Sequence, residues 1–147
     1  MLVRADSLGA DEGSIAGSRI LAACPDSAER GDPWRWTVTL NDTAGVPSLS
    51  VNADLDHIAV ERQSVTDGQD ATLHRKGGRQ LVIAALKGEA LVSATDGPWQ
   101  RWLSPGDVFI VEGEDPEVLT VRLSAGDSAV DIVSLAPTRA HALRWVP

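Results

Sequence analysis

After Pro33 the chain never sustains a helical pattern: its apolar residues come in short runs, most with a period of two, and Gly or Pro closes them. Trp34, Trp36, Val38 and Leu40 point one way along one such run, and Arg35, Thr37 and Thr39 the other. The period returns in 57–65, where Ile58 and Val60 share one face and His57, Ala59, Glu61 and Gln63 share the opposite one. Alternation of this kind marks a half-buried strand, because successive side chains of an extended chain leave opposite faces. Further strands are predicted over 80–86, 89–94, 100–103, 108–111, 118–123, 130–135 and, at the end of the chain, 142–146. Lys87-Gly88 reads as a two-residue hairpin joining the first two of these, its glycine supplying the positive φ. Ser104-Pro105-Gly106-Asp107 and 124–128 read as turns. Ile83-Ala84-Ala85-Leu86 would tolerate a helix but is too short for one between its flanking glycines. Many short strands joined by such turns imply an all-β sandwich or barrel.

With 147 residues and 43% hydrophobic side chains, the chain has the means for one cored domain. Residues 1–33, rich in Gly, Ala, Ser and Asp, read as an N-terminal arm with at most a short strand or helical turn at Ile20-Leu21-Ala22-Ala23; residues 34–147 read as the domain. A formal charge of -8 excludes a broad basic surface for nucleic acid. A single cysteine, Cys24, excludes an internal disulfide and a Cys-rich zinc site; with no histidine near it in sequence, it reads as buried and inert. No apolar run is long enough for a membrane span, and the N-terminal residues lack the pattern of a secretion signal, so a cytoplasmic protein is expected.

One stretch carries a family likeness. The frame Gly68, His74, Gly88 resembles the first motif of the cupins, with Lys76 in place of its second His and Leu81 in place of its Glu. Gly106-Asp107 is similar to the opening of the second cupin motif, where Glu112 replaces the Pro, Glu114 the later Gly and Glu117 the metal-binding His. Arg79 before an apolar strand ending in Lys87-Gly88, and the segment from Thr120 through Asp131 to Arg139, resemble the subgroup containing the histidine-utilisation protein HutD and the Ves protein. The likeness spans 57–139 and implies a single-domain, cupin-like jelly-roll barrel. Cupin chemistry draws on three or four imidazole or carboxylate ligands around one ion. In this frame only His74 and Glu117 are left as ligands, and Lys76 sets an ammonium where a ligand belongs. The resemblance therefore implies a cupin working without a metal or other cofactor.

The remaining candidates come from the residues themselves. His74, Arg75, Lys76 and Arg79 form a basic cluster able to hold a carboxylate or phosphate, or else to pair with the acidic run 112–117. His74 with Glu117 could serve as a base and its orienter. His57, Glu61 and Gln63 face either the barrel mouth or the outside, and the cost of burying polar groups without partners favours the outside. Trp99 and Trp102 flank Arg101 and suit an aromatic platform, a lid or a dimer interface. Gly77-Gly78 lacks the residues of a phosphate loop, and no serine nucleophile elbow is present. The expected function is binding of a small polar or anionic metabolite in a sensing or accessory role. His74, Glu117, His57, Glu61, Arg79 and Trp102 are the candidate site residues, in a homodimer without nucleic-acid or membrane partners. The alternatives are a metal-independent isomerase or epimerase using His74, and a structural dimerisation module with no ligand.

Overall fold

The computed structural model describes residues 2–3, 18–23, 36–43, 46–53, 55–66, 69–75, 79–112, 115–124 and 126–138. Among them the chain forms strands β1 (Leu2–Val3), β2 (Ser18–Ala23), β3 (Trp36–Thr43), β4 (Val46–Ala53), β5 (Ile58–Thr66) and β6 (Asp70–His74). The series continues with β7 (Gln80–Lys87), β8 (Ala90–Ala94), β9 (Gln100–Leu103), β10 (Val108–Val111), β11 (Val118–Leu123) and β12 (Ala129–Pro137). No helix occurs among the described residues, so none is long and apolar enough to cross a membrane.

Three antiparallel sheets result, in the orders β1-β10-β7-β12-β5, β6-β11-β8-β9 and β2-β3-β4. From β5 to β12 the chain alternates between the first two sheets at every connection except β8 to β9. That interleaving is the jelly roll, two Greek keys wound into one sandwich. The predicted all-β jelly-roll architecture is therefore the observed one.

The alternation of side chains explains the layering. Leu81, Ile83 and Ala85 of β7, Ile132 of β12 and Phe109 of β10 meet Leu73 of β6, Leu119 and Val121 of β11 and Val92 of β8 in one core. The intervening residues Val82, Ala84, Ile110, Val133 and Leu135 face the other way and meet Leu40 of β3 and Leu49 of β4 in a second core. The middle strands β10, β7 and β12 of the five-stranded sheet are thus buried on both faces. They consequently read as continuous apolar runs rather than alternating ones. The N-terminal region supplies two strands: β2 contains the short run anticipated at Ile20-Leu21-Ala22-Ala23 and pairs with β3, and β1, which the pattern did not mark, pairs with β10.

Two local expectations meet different outcomes. Ser104-Pro105-Gly106-Asp107 is a type II turn: Gly106 has φ 85°, and the Asp107 amide donates to the Ser104 carbonyl at 2.9 Å. The Asp107 carboxylate also accepts from the Ser104 amide at 2.9 Å, which fixes the turn from its open side. Lys87-Gly88 is not a hairpin. Although Gly88 has φ 64°, β7 pairs with β10 and β12 while β8 pairs with β11 and β9, so the turn carries the chain from one sheet to the other. The strand expected over 142–146, and Cys24 and Trp34, lie outside the described residues.

Candidate functional site

The sandwich opens along one side, where β5 ends the five-stranded sheet and β6 ends the four-stranded one. A cleft of about 240 Å³ lies between these edges. Glu61, Arg62 and Gln63 of β5 and Thr72, Leu73 and His74 of β6 form its walls. Arg79 and Leu81 at the start of β7, with Ile132 and Ser134 of β12, complete it. Leu73, Leu81 and Ile132 belong to the inner core, so the bottom of the cleft is apolar while its rim is polar.

Strand register decides which polar groups reach the cleft. Val65 faces the inner core, so alternation sends Gln63 and Glu61 to the same side. Glu61 stands opposite Ser134, and Ser134 opposite Leu81, which brings the β5 edge level with the start of β7. There Arg79 Nη1 donates to Glu61 Oε2 at 3.1 Å. The arginine side chain is 30% exposed and the glutamate 68%, so the pair stays in contact with solvent. The outside placement favoured for Glu61 and Gln63 is corrected: both line the cleft, where solvent rather than buried partners satisfies their remaining polar atoms.

The other candidates distribute as follows. His74 ends β6, a strand outside the predicted runs, and its exposed side chain borders the cleft. It pairs in register with Val118, so Glu117 stands one position further on, across from Arg75, on the opposite face of the ribbon. The structure does not bring Glu117 to His74 as an orienting carboxylate. His57 lies in the turn before β5, outside the cleft. Trp102 is 53% exposed; its neighbour Leu103 enters the inner core, so the indole faces outward from the four-stranded sheet. Arg101 stacks over Trp99 at 5.0 Å, and Trp99 packs on Phe109 at 5.5 Å between ring centroids. That aromatic group belongs to the core rather than to the cleft.

The basic cluster divides. Arg75 is buried, its amide donates to the Glu117 carbonyl at 2.7 Å and its guanidinium to the Asp115 carbonyl. It therefore staples the acidic run to β6 through backbone oxygens. Arg79 instead turns into the cleft, and Lys76 lies outside the described residues. A charged pair that the sequence did not signal sits on the outer side of β5 and β12. There the buried Asp131 carboxylate accepts from Arg62 and, at 2.6 Å, from Ser64. Register alone joins these residues, since Asp131 is directly opposite Ser64.

Among the described residues no three His, Cys, Asp or Glu side chains gather where they could hold a metal ion. The cupin frame positions do not supply a set either: Leu81 is core, and His74 and Glu117 face apart. The described residues at these positions do not make the ligand set that the resemblance implies for a metal-binding cupin.

No family model matches the chain, and no curated protein matches its sequence. Several solved structures resemble it. A Bacillus halodurans protein is 16% identical over 60% of this chain and 69% of its own, with a TM-score of 0.44. A cupin 2 domain-containing protein from Halorhodospira halophila is 14% identical, covering 98% of this chain and 81% of its own, with a TM-score of 0.44. A de novo designed double-stranded β-helix is 22% identical over 52% of this chain and 95% of its own, with a TM-score of 0.37. The strand order remains the ground for the jelly-roll assignment.

Proposed function

We propose that the protein is a metal-independent, cupin-like binding module that takes a small metabolite bearing a carboxylate or comparable oxyanion in the β5–β6 cleft, in a sensing or accessory role. The observation that carries this reading is Arg79, with Glu61 beside it, at the rim of a cleft between the two sheets whose floor is apolar. Ligand sites combine an apolar lining with a few polar groups that fix orientation, and a guanidinium is the side chain best shaped for a carboxylate. At about 240 Å³ the cleft lies below the roughly 300–1,000 Å³ of sites for drug-sized ligands, which points to a small metabolite rather than a nucleotide. Within cupin-type folds we place the chain beside the HutD and Ves subgroup, on the Arg79-to-Gly88 strand, and we read it as a cytoplasmic protein.

The test is titration of the full chain with inorganic phosphate and small mono- and dicarboxylates, followed by NMR shifts of the amides around Arg79. Saturable shifts that disappear in Arg79→Gln are expected. Titrations that leave those amides unmoved, or survive the substitution unchanged, would remove the reading.

The exposed Trp102 on the edge strand β9 supports a second reading, a homodimer closed over this indole. Sedimentation of the wild type as a dimer and of Trp102→Arg as a monomer is the expected result; monomers in both would sink it.

A further inference from the structure

We infer that the cleft selects a zwitterion, namely a small α-amino acid with an aliphatic side chain. The inference rests on the carboxylate-binding reading and adds to it the role of Glu61. A simple anion approaching Arg79 would meet the Glu61 carboxylate, because Arg79 Nη1 and Glu61 Oε2 are only 3.1 Å apart. Like charges at that range oppose each other even near a protein surface. Among the described residues the Arg79 guanidinium donates to no other group and the Glu61 carboxylate accepts from no other donor, so each side chain has bonding capacity left. An α-amino acid carries its carboxylate and ammonium on one carbon. Laid across the pair, it gives the carboxylate to the free edge of the guanidinium and the ammonium to the free oxygen of Glu61.

The rest of the cleft agrees with this ligand. Its floor is Leu73, Leu81 and Ile132, which offers an aliphatic side chain apolar contact and offers a second charge nothing. The other arginine of the lining, Arg62, is already committed to Asp131 on the outer side of the sheet. The cleft thus presents one cation and one anion at amino-acid spacing over an apolar base.

Matched probes separate this inference from the reading beneath it. Leucine, 4-methylpentanoate and 3-methylbutylamine share one side chain and differ in the charges they carry. Their affinities are measured on the wild type, Glu61→Gln and Arg79→Gln by NMR titration of the full chain. Glu61 is exposed on an edge strand, so its substitution leaves folding intact, which amide dispersion checks directly. Leucine is expected to bind the wild type about tenfold more tightly than 4-methylpentanoate, the scale of one charge-assisted hydrogen bond. Glu61→Gln is expected to abolish that preference while leaving the acid bound, and Arg79→Gln to release both. Equal affinities for leucine and 4-methylpentanoate, or a preference that survives Glu61→Gln, would overturn the zwitterion and leave the carboxylate reading in place. Binding of inorganic phosphate or dicarboxylates without leucine would do the same. Failure of every probe would overturn both.

Discussion

Gly88 sits where two crossings of the sandwich touch. A β-carbon built on it would meet Ser128 Oγ at 2.2 Å and Ser128 Cβ at 2.8 Å, and its φ of +64° lies in the left-handed region. Ser128 is itself buried and its hydroxyl donates to the Ser124 carbonyl at 3.2 Å, so it has little room to yield. Gly88→Ala is expected to destabilise the fold by about 2–4 kcal/mol, adding left-handed strain to overpacking. Gly126, with φ +113° and nothing within 4 Å of its added carbon, is the control that carries backbone strain alone. Denaturant midpoints should fall further for Gly88→Ala than for Gly126→Ala, although φ +113° is the harder backbone for alanine; a smaller loss at Gly88 would show that Ser128 yields to the added carbon. At this scale the sequence was informative about turn chemistry and silent about partners. Gly88 was legible as a glycine with positive φ, yet a turn specifies a change of direction and not the strand that receives the chain. Glu61 and Gln63 show the same limit, because alternation divides a strand into two faces without naming which one looks into the sandwich.

Elements were legible where burial leaves a pattern. Strands β9 and β10 match the predicted runs 100–103 and 108–111, and the pattern located β5, β7, β8, β11 and β12 to within a residue or two. Besides the two-residue β1, the strands β4 and β6 were missed for physical reasons. β4 contains Pro47, which lacks an amide proton and is tolerated because β4 ends its sheet. β6 has only five residues, and its burial alternates through Ala71 and Leu73 between polar neighbours, a signal too short to separate from a loop. That omission hid the wall that β6 gives the cleft, although His74 at its end was a candidate from sequence. The three-stranded sheet was the other gap: nothing local announces that β3 and β4 cover the far face of the central sheet. Leu49, 1% exposed beneath that cover, gives its test. Leu49→Ala is expected to cost about 2–5 kcal/mol, as for other large-to-small changes in a core. A loss under about 0.5 kcal/mol by chemical denaturation, the level of ordinary surface substitutions, would show that the third sheet packs without contributing.

For the whole molecule, the decisive strand is β12. It pairs with β5 along its full length, Thr66 meeting Ala129 and Ile58 meeting Pro137, and with β7 on its other side. Among the described residues it is the strand that joins the β5 edge, and with it Glu61 and the cleft, to the rest of the sheet. Val133 and Leu135 enter one core while Val130 and Ile132 enter the other, so both cores lose side chains if it leaves. Partners so distant in sequence form only after a long loop has closed, which makes jelly-roll folding slow and strongly cooperative. A chain ending at residue 128 is therefore expected not to reach the native state, and to show neither dispersed amide resonances nor near-ultraviolet dichroism from its tryptophans. A peptide spanning 126–138, added in trans, should restore both, because it returns the ladder and the two sets of core side chains together. Native-like spectra from the shortened chain alone would mean that the four-stranded sheet and the remaining strands close a core without β12. The cleft would then have to be supported by β6 and β7, and register on β12 would not set the Arg79–Glu61 distance.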